Sequence, residues 1–124
     1  MSNSDTIRAF LDAFNRKDID GVMSFFSDDA VYHNMPTGPV HGIDAIRTSI
    51  EGYTEPATLI DWELVAVAET DGGTVLTERL DRFEFGDTQV ELPVMGAFDF
   101  EDGKILAWRD YFDLAQFQKQ MPGG

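Results

Sequence analysis

The stretch Thr77–Glu78–Arg79–Leu80–Asp81–Arg82–Phe83–Glu84–Phe85 predicts a β-strand with an unusual inward face. Side chains alternate between the two faces of a strand. One face of this strand therefore carries Arg79, Asp81, Phe83 and Phe85. A strand that served only the core would carry aliphatic residues in place of the charged pair. The pattern instead indicates a polar site at the bottom of an apolar pocket.

Two further predicted strands offer polar groups with the same i, i+2 spacing. Residues 105–112 place Trp108, Asp110 and Phe112 on one face, and the short strand 30–34 pairs Tyr32 with Asn34. We expect these three strand faces to meet at one site.

Two carboxylates beside one guanidinium can serve acid–base chemistry. The donors of Arg79 can bridge both acids. Repulsion between like charges and desolvation favour a proton on one carboxylate, while the arginine favours ionisation of the other. One protonated acid and one ionised base suit catalysis on a neutral substrate, with a water held by Tyr32 and Asn34. The alternative is an internal salt-bridge network, although buried ion pairs contribute little to stability.

Composition narrows the class of protein. A chain of 124 residues with 43% hydrophobic residues predicts one globular domain, residues 1–124. The net charge of −14 argues against nucleic acid and anionic membranes as partners. The absence of cysteine excludes thiol catalysis and cysteine-ligated metals, and the presence of only two histidines argues against a His-rich metal site. Met1 leads into an amphipathic helix without a signal peptide, so we expect a cytoplasmic protein.

The order of elements predicts an α+β fold. Helices are predicted from Ile7 to Phe14 with a cap at Ser4 or Asp5, from a cap at Asp18 through Phe26, and from Ile43 to Tyr53. After the short strand and a loop at residues 35–39, strands are predicted at 59–70, 74–85, 88–100 and 105–112, and Asp113 caps a short helix. Pro93 suggests an edge position or a bulge. We predict a cone-shaped, curved mixed or antiparallel sheet with three helices from the N-terminal half on its concave face.

Three segments resemble the signature segments of one family. Residues 32–36 (YHNMP), 78–82 (ERLDR) and 108–113 (WRDYFD) are similar to those of the limonene-1,2-epoxide hydrolase family, within the SnoaL-like, NTF2-like superfamily. Residues 92–96 and the turn at 102–105 also resemble it, so the similarity extends from about residue 15 to residue 117. The resemblance implies an NTF2-like cone and hydrolysis of an epoxide to a vicinal diol in one step, with no cofactor and no metal.

The resemblance also implies a role for each polar residue. Asp110 would be the general base, and Tyr32 and Asn34 would position the water that it activates. Asp81 would protonate the epoxide oxygen as the ring opens. Arg79 would bridge and orient the two carboxylates.

The substrate is expected to be a small to medium apolar epoxide, either terpene-like, cyclic or lipid-derived. Candidates for the pocket wall are Phe83, Phe112, Met35, Met23 and Val94. Alternation in the strands places His33, Arg109 and Tyr111 on the outer face, and His41 lies in a loop.

Apolar residues on the outer face of the sheet, namely Val65, Val67 and Leu80, predict a homodimer. Two other functions remain open from sequence. One is an isomerase or cyclase of the ketosteroid isomerase or polyketide cyclase type, which needs an inward Asp but no arginine between two acids. The other is a non-catalytic module for small-molecule binding or dimerisation.

Overall fold

Residues 2–123, the part of the chain that the computed structural model describes, form four helices and six strands. In chain order these are α1 (Asn3–Asn15), α2 (Ile19–Met23), β1 (Phe26–Asn34), β2 (Gly38–His41), α3 (Ile43–Thr54), β3 (Leu59–Glu69), β4 (Val75–Phe85), β5 (Thr88–Glu101), β6 (Lys104–Tyr111) and α4 (Leu114–Gln120). Met1 and Gly124 belong to the predicted N-terminal and C-terminal segments but lie outside the described residues. The α+β prediction is confirmed.

The six strands form one mixed sheet in the order β2-β1-β6-β5-β4-β3. The β1–β6 pair is parallel and the other neighbours are antiparallel. In the parallel pair, Tyr32 lies opposite Trp108 and Asn34 lies opposite Asp110. The register therefore brings the polar residues of two strands side by side.

Helices cover the inward face of the sheet. Helix α1 packs on β3 and β4, α3 packs on β1 and β2, and α2 contacts both of these helices. The apolar stripe of α1 supplies Phe10, whose ring makes edge contacts with Phe14 and Trp108 at centroid distances of 5.1 Å. Within residues 2–123, no helix combines the length and the apolar character that crossing a bilayer requires.

The structure corrects two predictions near the N-terminus. Helix α1 is capped by Ser2, two or three residues earlier than predicted, and Asp5 completes a capping box with it. Asp18 caps α2 as predicted, but this helix ends at Met23. Phe26 instead begins β1, because its side chain reaches the core as part of an extended strand.

Strand β2 lies in the segment predicted as a loop. Gly38 and Pro39 are typical of turns, but residues 38–41 pair with β1 at the edge of the sheet. Proline is tolerated at a sheet edge because no neighbouring strand requires its missing N–H. The turn before β2 is correspondingly shorter than predicted.

A register shift in β3 reverses the predicted alternation along its second half. The pairing with β4 slips between Leu64 and Ala66, so that Val65 is left without a partner. Val67 therefore turns inward and packs against the core, whereas Ala66 and Ala68 are exposed. The prediction that Val67 lies on the outer face was wrong, because one extra residue inverts the alternation.

Strand β5 extends beyond its neighbour β6, and Pro93 lies in this extension. The pairing of β5 with β6 covers Met95 to Glu101, so Pro93 has a partner strand only on the β4 side. This confirms the predicted edge position. Helix α4 packs on β5, and the Gln120 amide bonds to Glu91 by accepting from its N–H at 2.8 Å and donating to its carbonyl at 2.9 Å. The Gln120 side chain thus pairs with the backbone of Glu91 at the edge that β6 leaves free.

Candidate active site

Arg79 lies at the centre of a buried ionic network. Its side chain has no exposed surface, and all five N–H groups of the guanidinium have acceptors. Nε donates to Asp81 Oδ1 at 3.0 Å, and Nη2 donates to Asp81 Oδ2 at 2.9 Å. Nη2 also donates to Asp110 Oδ2 at 2.7 Å, and Nη1 donates to Asp110 Oδ1 at 3.1 Å and to Thr77 Oγ1 at 3.3 Å. The predicted bridge between two acids is therefore present.

The two carboxylates differ in the donors that they receive. Asp81 accepts from Arg79 alone. Asp110 accepts two bonds from Arg79 and a third from Trp108, whose Nε1 lies 2.7 Å from Oδ1. Hydrogen bonds to the charged form of an acid favour ionisation, so the surroundings favour a negative charge on Asp110 more than on Asp81.

Gly96 makes the bridge sterically possible. Asp110 on β6 lies opposite Gly96 on β5, which in turn lies opposite Thr77 on β4. A Cβ atom at Gly96 would lie 2.6 Å from Arg79 Nη1, 2.7 Å from Asp110 Oδ1 and 2.9 Å from Thr77 Oγ1. The guanidinium crosses β5 through the space that the missing side chain leaves.

A pair of phenols lies beside the carboxylates. Strand β1 positions Tyr32, and the last turn of α3 positions Tyr53, with 3.1 Å between the two hydroxyl oxygens. The Tyr32 ring stacks on Trp108 at a centroid distance of 4.2 Å. Asn34 lines the same cavity as both phenols, next to Asp110 in the sheet.

Burial and neighbouring charges alter the acidities of these groups. Burial raises the pKa of Asp81 above its ordinary value of 3.8; the Arg79 charge opposes this shift and the Asp110 charge adds to it. Burial alone would lower the pKa of Arg79, but the charges of Asp110 and Asp81 raise it well above its ordinary value. Burial also raises the pKa of Tyr32 and of Tyr53, so both remain neutral hydroxyls at physiological pH.

A cavity of about 220 Å³ opens above the ionic network. Its polar lining residues are Tyr32, Asn34, Thr37, Tyr53, Asp81 and Asp110, and its apolar lining residues are Trp62, Phe83, Phe85, Leu92, Val94, Phe112, Leu114 and Phe117. An apolar wall with a few convergent polar groups is typical of a small-molecule site.

The cavity contains three of the five residues predicted for its wall. Phe83, Phe112 and Val94 line it. Met23 is buried in the core cluster, because the short helix α2 packs against α1 and α3. Met35 directly follows the inward-facing Asn34 and does not line the cavity, as the alternation of side chains requires.

The residues assigned to the outer face lie away from the network. The Arg109 guanidinium bonds to Asp99 at 2.6 Å, and Tyr111 is 49% exposed. His33 and His41 do not line the cavity. Among the described side chains, no group of three or more His, Cys, Asp or Glu residues is placed to hold a metal ion.

Sequence reasoning missed four contributors to the site. Trp108 was placed on the same face as Asp110, but its hydrogen bond to that carboxylate was not predicted. Tyr53 lies three residues after Ile50 on the apolar stripe of α3, and Thr77 shares the inward face of β4 with Arg79. The role of Gly96 depends on the pairing register between strands, which single-strand patterns do not reveal.

The α+β fold is that of the SnoaL-like, NTF2-like class, and its sheet carries a guanidinium that joins two buried acids beside an apolar cavity. The family follows from comparison with known proteins. The family model described as the limonene-1,2-epoxide hydrolase catalytic domain matches residues 1–123, and the chain belongs to that family. It is an epoxide hydrolase of this type.

Individual relatives agree with this assignment. The chain is 35% identical over 126 residues to epoxide hydrolase EphG of Mycobacterium tuberculosis, a match that covers 95% of this chain and 78% of that protein. A solved epoxide hydrolase from the same organism, described as similar to this family, superposes with a TM-score of 0.80 at 32% identity, covering 95% of this chain and 87% of that one. A Bacillus subtilis protein described as an isomerase has a TM-score of 0.86 at 20% identity, covering 100% and 98% of the chains, and shows the shared fold alone.

Proposed function

We propose that the protein hydrolyses a neutral, apolar epoxide to a vicinal diol in one step, without a covalent enzyme intermediate. Asp110 is the general base, Asp81 is the general acid, and Arg79 holds the two carboxyl groups in place. Tyr32 and Asn34 position the attacking water. These assignments agree with the roles that the family resemblance implies for the same positions.

The observation that carries the proposal is the unequal surroundings of the two acids. Three donors stabilise a negative charge on Asp110, whereas Asp81 has two donors and a raised pKa. A proton on Asp81 also makes the buried set of Arg79, Asp81 and Asp110 neutral overall. This avoids the cost of burying a net charge.

The chemical step moves two protons. Asp110 takes a proton from water as the water oxygen bonds to an epoxide carbon. The carbon–oxygen bond of the ring breaks, and the ring oxygen takes the proton of Asp81. Turnover leaves the proton on Asp110 and the charge on Asp81, so a proton must return to Asp81 before the next cycle.

The water site is formed by groups from β1 and β6. Tyr32 and Asn34 line the cavity together with Asp110, and the parallel register fixes Asn34 next to this carboxylate. The phenol and the amide both offer donors and acceptors, whereas an ionised carboxylate only accepts. A water bonded to all three groups keeps one lone pair for attack on the substrate.

The cavity favours a small substrate without charge. Its volume of about 220 Å³ lies below the roughly 300 Å³ at which most ligand pockets begin. The aromatic and aliphatic wall suits the hydrocarbon portion of a terpene-like, cyclic or lipid-derived epoxide.

The proposal is tested with a panel of epoxides of increasing size in water labelled with oxygen-18. We expect diol formation with compact apolar epoxides, with the label in the diol after a single turnover and no label in the protein. Label in a carboxylate of the protein would indicate a covalent intermediate. Turnover of an enone or a polyketide, with no turnover of any epoxide, would favour the isomerase or cyclase alternative.

The pH dependence of kcat/KM should report the loss of the proton from Asp81. Because its pKa is raised, the folded enzyme keeps this carboxyl protonated to a higher pH than a free Asp does. We expect kcat/KM to fall with rising pH as Asp81 loses its proton, at a pH above 3.8. In Asp81→Asn the residual rate should lack this alkaline limb. An unchanged limb in that variant would assign it to another group.

We also propose a homodimer formed through the outer face of the sheet. Four apolar side chains there are 42–53% exposed, namely Val65, Leu76, Met95 and Tyr111. Met95 lies opposite Tyr111 in the sheet, so part of this surface is continuous. We expect sedimentation to show a dimer at micromolar concentration and Met95→Lys to shift it toward monomer. A wild-type monomer would contradict the proposal.

A further inference from the structure

Trp108 combines a core position with a polar contact to the base. Its side chain is fully buried in β6, where the ring stacks between Tyr32 and Phe98 at centroid distances of 4.2 and 5.6 Å. Its Nε1–H donates to Asp110 Oδ1 at 2.7 Å. An aromatic ring without an N–H group could fill the same space in the core. The hydrogen bond from Trp108 to Asp110 therefore requires an explanation other than packing.

The contact makes the two oxygens of Asp110 unequal. Each carboxylate oxygen can accept about two hydrogen bonds through its lone pairs. Oδ1 accepts from Trp108 Nε1 and Arg79 Nη1, so both of its lone pairs are used by protein donors. Oδ2 accepts only from Arg79 Nη2, so one of its lone pairs remains available to accept a hydrogen bond from a water molecule.

We infer that Trp108 is a positioning residue of the reaction, which occupies Oδ1 of Asp110 so that Oδ2 takes the proton from water. This inference rests on the proposed function, because it concerns the group assigned there as the base. The stack on Tyr32 adds a second effect. One indole fixes both the carboxylate that removes the proton and a phenol that holds the water.

The N–H bond also stabilises the negative charge on Asp110. The other charged or titratable groups that face this carboxylate are Arg79 and Asp81 from β4, Tyr32 from β1 and Tyr53 from α3. Tyr32 and Tyr53 stay neutral in the relevant pH range. Loss of the indole donor therefore removes one of the three hydrogen bonds that Asp110 accepts.

The test is Trp108→Phe, which keeps an aromatic ring and removes the N–H. We expect kcat to fall about 10- to 100-fold, the effect of a hydrogen bond to a charged group, with KM nearly unchanged. The acid limb of the kcat–pH profile should move to higher pH, because a donor to the charged carboxylate is lost. Loss of packing alone would not move this limb.

Phe98→Leu is the matched control. Phe98 is fully buried against the same indole, but the polar contacts of the network do not involve it. We expect this variant to lose thermal stability while its acid limb stays at the wild-type pH. An acid limb that shifts equally in both variants would show that packing, and not the N–H group, sets the property.

A second measurement removes the dependence on how well Trp108→Phe folds. Benzothienylalanine has the shape of tryptophan with sulfur in place of the N–H, and it can replace tryptophan biosynthetically. The chain has a second tryptophan, Trp62. The analogue is therefore incorporated into a Trp62→Phe variant, where it replaces Trp108 alone, and this protein is compared with the same variant that contains tryptophan. A shifted acid limb supports the inference, and an unchanged one overturns it. If wild type hydrolyses no epoxide, the proposed function fails first.

Discussion

Asp110→Asn is expected to lower kcat for epoxide hydrolysis by about 10³-fold or more, with the protein still folded. Acid–base catalysis by one group contributes about 10²- to 10⁴-fold. An amide removes no proton from water. The loss of one negative charge also leaves Arg79 and Asp81 as a simple ion pair, which favours an ionised Asp81 and weakens the acid as well. Diol formation under saturating substrate, together with circular dichroism of the variant, provides the measurement.

Asp99→Asn is the matched control for this variant. It makes the same chemical change on the adjacent strand β5, where Asp99 pairs with Arg109 outside the cavity. We expect wild-type rates from it. A folded Asp110→Asn enzyme with a near-normal rate would refute the assignment of the base.

Gly96→Ala is expected to reduce both activity and stability. The added methyl group would lie 2.6 Å from Arg79 Nη1 and 2.7 Å from Asp110 Oδ1, closer than nonbonded atoms approach. The guanidinium must move, and it is fully buried among its acceptors. We expect the free energy of unfolding to fall by about 1–3 kcal/mol. The rate should fall about 10²-fold, the scale of a misplacement of about 1 Å at a catalytic group. Denaturation and steady-state kinetics measure the two effects.

Gly52→Ala separates this steric effect from the general consequences of replacing glycine. Gly52 is exposed in α3, and no atom lies within 4 Å of the position of an added Cβ. Alanine is the better helix former, so the free energy of unfolding should rise by about 0.5–1 kcal/mol. Activity should not change. Wild-type kinetics and stability in Gly96→Ala would show that the bridge does not need the glycine.

Local patterns predicted the fold because most elements here obey them. Alternation along β4 and β6 and the helical stripe of α1 were sufficient for the α+β class. The failures occur where tertiary contacts override local preference. Phe26 continues an apparent helical stripe but extends into the core, and Gly38 and Pro39 form an edge strand despite their turn preference. The slip between Leu64 and Ala66 in β3 has no signal in the residues themselves.

The site was predicted to the extent that it depends on single strands. The pairs Arg79/Asp81 and Tyr32/Asn34 follow from i, i+2 spacing, which fixes their faces. Tyr53 could not be placed, because the distance between α3 and β1 depends on how the helix packs on the sheet. Contacts across strands, such as the one at Gly96, require the register, and the register is a property of the whole sheet.

The complete use of the Arg79 donors has a consequence for selectivity among ligands. Arginine is the usual anchor for carboxylates and phosphates, yet here no N–H group remains for a ligand. An anionic compound in the cavity would meet the acids Asp81 and Asp110 without gaining a cationic partner. We therefore expect anionic compounds to bind poorly in the cavity, and an epoxide that carries an acid group would have to keep that group in solvent.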